Sequence, residues 1–122
     1  MNDQLLTITR SQTVRAPGQI CFPGGGVEVD ESIESAIVRE MQEELGILVE
    51  PIRPIWQSKA ASGVVLNWWT AAIAPGQLIR PNPEEVVAAQ WLTIPQICSL
   101  PNLLASNQAF FQALEQREFS IV

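Results

Sequence analysis

Gly25, five residues, Glu31, seven residues, then Arg39-Glu40-Met41-Gln42-Glu43-Glu44-Leu45-Gly46-Ile47: the reading of this stretch decides the fold, because it puts an arginine and four carboxylates in and beside one helix. From Ser32 to Leu45 there is neither proline nor glycine. Ser32 is placed to cap the first turn, and Gly46 stands where a helix ends in a left-handed residue. Ile33, Ala36, Ile37, Met41 and Leu45 recur at steps of three and four, so they share one buried face. With Ala36 as zero, Ile37 and Met41 fall near ~100° and ~140°, whereas Glu40 and Glu44 fall near ~40° and ~80°. The two acids lie inside the apolar arc.

A solvated, salt-bridged surface would put its acids opposite the apolar stripe. Carboxylates turned toward a core lose hydration and repel one another, so they require a cation or they take up protons. A hard divalent ion resolves this. Mg²⁺ takes oxygen ligands, retains waters and bridges carboxylates to phosphates, which suits Glu40, Glu43 and Glu44; Mn²⁺ is its natural substitute. With no histidine and only Cys21 and Cys98, far apart in sequence, the chain is not built for zinc. Upstream, Phe22-Pro23-Gly24-Gly25-Gly26 reads as a strand end running into a loop whose backbone can approach a ligand. Beside the acidic helix, Gly24 and Gly25 offer backbone groups to a metal and a diphosphate.

The seven fixed residues of the stretch, with Met41 and Ile47 at its two bulky aliphatic positions, resemble the signature box of the Nudix (MutT-like) hydrolases. That resemblance implies the Nudix fold, an α/β/α sandwich with a mixed β-sheet, and Mg²⁺-dependent hydrolysis of the diphosphate linkage in a nucleoside diphosphate joined to another group, such as a nucleoside triphosphate, dinucleotide or nucleotide sugar. It implies Glu40 and Glu44 as metal ligands, Glu43 as ligand or general base, and the Gly24 carbonyl as a further ligand. Arg39 would hold Glu31 and the neighbouring acids in place; Gly25, Glu31, Arg39 and Gly46 then support the site. Some members take their base from a later loop, and Glu84 and Glu85 follow Pro81-Asn82-Pro83 at a strand start, with Glu85 the chosen base. Arg10-Ser11, Arg15 and Gly18 are similar to the segment before the box in coenzyme A pyrophosphatases, one residue short between Arg15 and Gly18. Arg10 and Arg15 are therefore candidate substrate contacts, and Trp69, beside Trp68, is a candidate platform for a base. A departure is Asp30, where the family most often has glycine. A coenzyme A type pyrophosphatase and a non-catalytic nucleotide-binding regulatory domain are the alternative readings; isomerases of diphosphate compounds share the fold but resemble this chain less.

The 122 residues make one domain with a single core. No apolar run approaches the length that spans a bilayer and no signal-peptide pattern opens the chain, so a soluble, cytoplasmic protein without membrane contact is expected. A net charge of −6 and a single lysine, Lys59, leave no basic stripe for polymeric nucleic acid, and the partner is a small nucleotide derivative. Without histidine, neither a Ser-His-Asp nor a Cys-His pair can form. Both cysteines are expected as buried, reduced thiols. Strands are expected at Leu5 to Arg10, Gln19 to Phe22, Ile47 to Trp56 (an edge or a bulge, from Pro51 and Pro54), Val64 to Ala74 and Glu85 to Leu92, and helices near Ile94 to Leu100 and Ala105 to Arg117. The family usually has a strand and hairpin ahead of the position of Leu5; here that element is missing or replaced. Its members are often dimers, so the resemblance admits a homodimer.

Overall fold

The structure, a computed structural model, describes residues 3–121. In chain order the elements are β1 (Gln4–Arg10), β2 (Ile20–Cys21), α1 (Ile33–Leu45), β3 (Val49–Lys59), β4 (Val65–Ile73), β5 (Val86–Thr93), α2 (Ile94–Cys98) and α3 (Ala105–Glu115). The element that the resemblance implies ahead of Leu5 lies outside the described residues. α1 has the expected ends: the Ser32 hydroxyl accepts the Ser35 N–H at 3.1 Å, and Gly46 adopts φ 63°. That φ is one L-residues with a Cβ avoid, which is why glycine stands there.

The strands form two sheets, one ordered β2-β1-β5 and one a β3-β4 pair. Pairings between these strands are antiparallel; the mixed character rests on one parallel bridge, Ile20 to Leu103. β3 shifts register between Pro51 and Arg53 and again between Pro54 and Trp56. Proline has no N–H to give to a ladder, so the bulges fall where the prolines stand.

Alternation along the strands produces the sandwich. Leu6, Ile8, Cys21 and Ala89 face one core with Met41 and Leu45 of α1; Leu5, Phe22 and Leu92 face the other, with Ile97 of α2 and Phe110 and Phe111 of α3. Trp68 stacks on Phe110 with centroids 4.6 Å apart, and Trp56 stacks on Phe119 at 5.3 Å. Cys21 is buried as expected, but Cys98 is exposed. It lies in the last turn of the five-residue α2, whose buried residue is Ile97, so its neighbour in sequence faces outward. Among the described residues no helix is long and apolar enough to cross a membrane.

Candidate active site

Arg39 organises the acidic face of α1. Its Nε and Nη2 grip Glu31 in a fork, 2.8 and 3.0 Å from the two carboxylate oxygens. Nη1 donates to Glu40 at 2.9 Å and to Glu43 at 3.1 Å, while Nη2 also donates to the Gly26 carbonyl at 2.8 Å. One guanidinium thus ties the glycine loop, the helix entry and the acids together through a planar donor set that lysine does not have. The ion pair holds the Glu31 carboxyl down at about 2, chiefly through the Arg39 hydrogen bonds and then through the Glu28 N–H, and raises the Arg39 pKa.

On the cleft side of the same helix, Glu44 is 7 % exposed and accepts the Gly24 N–H at 2.9 Å. Burial pushes its pKa up to about 8; the Gly24 bond opposes this, and the nearby Glu40 and Glu85 charges add to it. Glu40 is also shifted upward by burial, against the pull of Arg39. Glycine at position 25 leaves room for the Glu40 carboxylate, which a Cβ there would overlap and displace. Asp30, in the position where the family prefers glycine, takes φ 63°, a conformation Asp tolerates better than most residues.

The segment from Arg80 to Glu85 crosses the C-terminal end of α1. Arg80 and Asn82 donate their N–H groups to the carbonyls of Leu45 and Glu44, both at 2.8 Å, and so satisfy oxygens that the helix end leaves without partners. This brings Glu85, half buried, to the cleft that Glu40 and Glu44 line, whereas Glu84 is exposed. The cleft lies between the two sheets and has a volume of about 1630 Å³. Arg10, Arg15, Gly24, Gly25 and Trp69 also line it. Arg10 donates Nε to the Arg15 carbonyl at 2.6 Å and lies over the Cys21 thiol, whose pKa burial raises. Trp56 and Trp68 belong to the aromatic core beside α3, with the Trp68 indole N–H donating to Ser58, whereas Trp69 stays outside that cluster.

Glu43 departs from the expected convergence of three acids. Its side chain is 49 % exposed, is held by Arg39 and does not line the cleft. On a helix Glu43 lies between Arg39 and Glu40, so the guanidinium draws it away from Glu44. Among the described residues no group of three or more histidine, cysteine or acidic side chains stands together at metal-ligand geometry. The carboxylates at the cleft are Glu40, the buried Glu44 and Glu85, joined by the backbone of the glycine loop, while the one thiol of the lining, Cys21, is covered by Arg10. That set fits a hard divalent cation, and the inward carboxylates without a lysine or a fork-bound arginine on Glu44 are where its charge is needed. Sequence reading assigns no site role to Ser11, Thr13, Asn82 or the half-exposed Trp91 of the cleft wall. The Ser11 and Thr13 hydroxyls and the Asn82 N–H bond to distant backbone, which leaves no periodic trace in a sequence.

The NUDIX domain matches residues 1–114. An RNA pyrophosphohydrolase of Actinobacillus pleuropneumoniae is 31% identical over 87 residues, 68% of this chain and 38% of that protein. The NAD-capped RNA hydrolase NudC of Stutzerimonas stutzeri is 33% identical over 87 residues, 70% of this chain and 31% of that one. The chain thus spans roughly a third of the length of these curated relatives. A MutT NUDIX hydrolase from Burkholderia pseudomallei has a solved structure that superposes with a TM-score of 0.69 at 27% identity, covering 95% of this chain and 89% of that one. A match along nearly the whole sequence, on a backbone shared with a solved relative, means that the chain belongs to the NUDIX family.

Proposed function

We propose that this domain is a hydrolase of the diphosphate linkage in a nucleoside diphosphate joined to another group, working with Mg²⁺, or Mn²⁺ in its place, held by Glu40, Glu44 and the Gly24 carbonyl, with Glu43 joining when it releases Arg39. The observation that carries this reading is Glu44: a carboxylate 7 % exposed, anchored by the Gly24 N–H and flanked by the charges of Glu40 and Glu85. Such a group costs stability in a protein without a cation and becomes useful with one. When bound, the cation supplies neutralising charge for the diphosphate and lowers the pKa of water.

The chain's own residues do the rest. Glu85 takes the proton of the attacking water as a new oxygen–phosphorus bond forms; the bridging phosphorus–oxygen bond breaks in line, and the leaving phosphate carries off the electron pair and is later protonated from solvent. Arg10 and Arg15 at the rim meet phosphate oxygens, Gly24 and Gly25 let the backbone approach them, and Trp69 offers a face to the base. Arg39 sets the angle of Glu40 and Glu43 and touches no substrate. With a net charge of −6, a polymeric nucleic acid has no basic surface to follow, so the substrate is a small nucleotide derivative.

The test is an Mg²⁺ assay of monophosphate or phosphate release across dGTP, NAD, ADP-ribose, diadenosine tetraphosphate, UDP-glucose, coenzyme A and an RNA bearing a 5′-triphosphate. Turnover of a small diphosphate compound, abolished by chelator, is the expected result. Preference for the RNA would overturn the small-substrate assignment, and failure on every compound would overturn the hydrolase reading.

A further inference from the structure

The turn that follows β1 reaches across the molecule to the segment carrying Glu85. Ser11, 3 % exposed, donates its N–H to the Glu85 carbonyl at 3.0 Å and its hydroxyl to the Glu84 carbonyl at 2.8 Å. Thr13 donates its hydroxyl to that same Glu84 carbonyl at 2.6 Å, and the two hydroxyls are 3.0 Å apart. From the opposite side, the Asn82 carbonyl accepts the N–H of Glu85 at 3.0 Å and of Val86 at 2.8 Å, and its amide oxygen accepts the Glu84 N–H at 3.1 Å. Asn82 itself donates to the Glu44 carbonyl. The peptide between Glu84 and Glu85 is thereby fixed against both β1 and α1.

Glu84 is exposed, yet its carbonyl takes two hydroxyls from some seventy residues away, one of them from the buried Ser11. What they supply is position. The β1–β5 ladder runs evenly as far as Thr9 opposite Ala88, then shifts register before closing with Arg10 opposite Val86. The shift bulges the ladder at Val87, and beyond the closing pair the Ser11 N–H and the two hydroxyls carry the grip on to Glu85 and Glu84. The same turn carries Arg10 and Arg15 on the cleft rim.

We infer that Ser11 and Thr13 are positioning residues for Glu85, clamping the backbone of the Glu84–Glu85 pair so that the Glu85 carboxylate is held over the water that attacks phosphorus. This rests on the assignment of Glu85 as base above. A base displaced by about 1 Å loses up to ~10²-fold in rate, so loosening the clamp acts on kcat and leaves KM and Mg²⁺ affinity alone.

The experiment compares Ser11→Ala, Thr13→Val and Thr13→Ser, each alone and combined with Glu85→Gln, using the fastest small compound of the Mg²⁺ panel at saturation, with Mg²⁺ affinity titrated separately. Thr13 is exposed, so its variants test the clamp without burdening the core. Ser11→Ala and Thr13→Val are expected to lower kcat about tenfold at constant KM, Thr13→Ser to keep the parental kcat, and neither loss to persist in the Glu85→Gln background. Faster amide exchange at Glu85 and Val86 in Thr13→Val accompanies this. Losses that multiply with Glu85→Gln, or Thr13→Val at parental kcat, overturn the clamp while the base assignment stands. Unchanged turnover in Glu85→Gln alone removes the base assignment and the clamp with it.

Discussion

Gly25 and Glu44 show how single positions carry the site. A Cβ on Gly25 would overlap the end of the Glu40 side chain, which can swing away while the helix stays intact. Gly25→Ala is therefore expected to weaken Mn²⁺ or Mg²⁺ binding about 10- to 100-fold with little loss of fold, as read by calorimetric titration. Glu44 governs a pH dependence whose sign follows from its raised pKa. Between its ordinary value of 4.5 and the folded value of about 8, the folded chain keeps a proton that the unfolded chain has released. Stability of the metal-free protein is thus fully present below that window and declines as pH rises through it. Glu44→Gln is expected to remove this part of the slope, measured as melting temperature against pH in chelator. Glu31 has the opposite sign: its pairing with Arg39 stabilises above 4.5, and that contribution is lost as pH falls toward about 2.

The elements were legible in the sequence where the signal is local. Ser32, the absence of proline and glycine over the following turns, and Gly46 set both ends of α1; Pro51 and Pro54 foretold the broken register of β3. Because the Ser32 hydroxyl satisfies a first-turn N–H, Ser32→Ala should cost about 1 kcal/mol in urea unfolding without changing metal affinity. The partition of the strands into two sheets was not legible, because pairing is a property of edges that meet in space and not of residues along a strand. Nor was the exposure of Cys98, which depends on where a single short helix happens to point. Along the acidic face, periodicity put Glu40 and Glu44 inside the apolar arc, where the structure has Glu44 buried. It could not say that Arg39 would hold Glu43 toward solvent, since competition between a guanidinium and a cleft is settled by side-chain reach.

At the scale of the whole molecule, two sheets that both contribute to each apolar cluster leave a cleft between them, and the acids of α1, the glycine loop and Glu85 are brought to it from three stretches of the chain. The glycine loop and the acids were readable because they lie within one motif. The bonds that fix Glu85 were not, because they join residues more than seventy positions apart. A cation that binds the folded cleft and not the unfolded chain stabilises by mass action, so saturating Mg²⁺ should raise the melting temperature, by an amount equivalent to ~2.7 kcal/mol at one hundred times the dissociation constant. Ca²⁺ should stabilise too, without matching turnover, because its larger and looser coordination shell does not hold the phosphates as tightly in line. The most direct measurement is the turnover of Glu44→Gln in saturating Mg²⁺ on the fastest small diphosphate compound, with circular dichroism alongside. A loss of about 10³-fold or more in a protein that keeps its fold is predicted, since Glu44 is there for its charge; full turnover in this variant, or in the parent with excess chelator, would contradict the metal site.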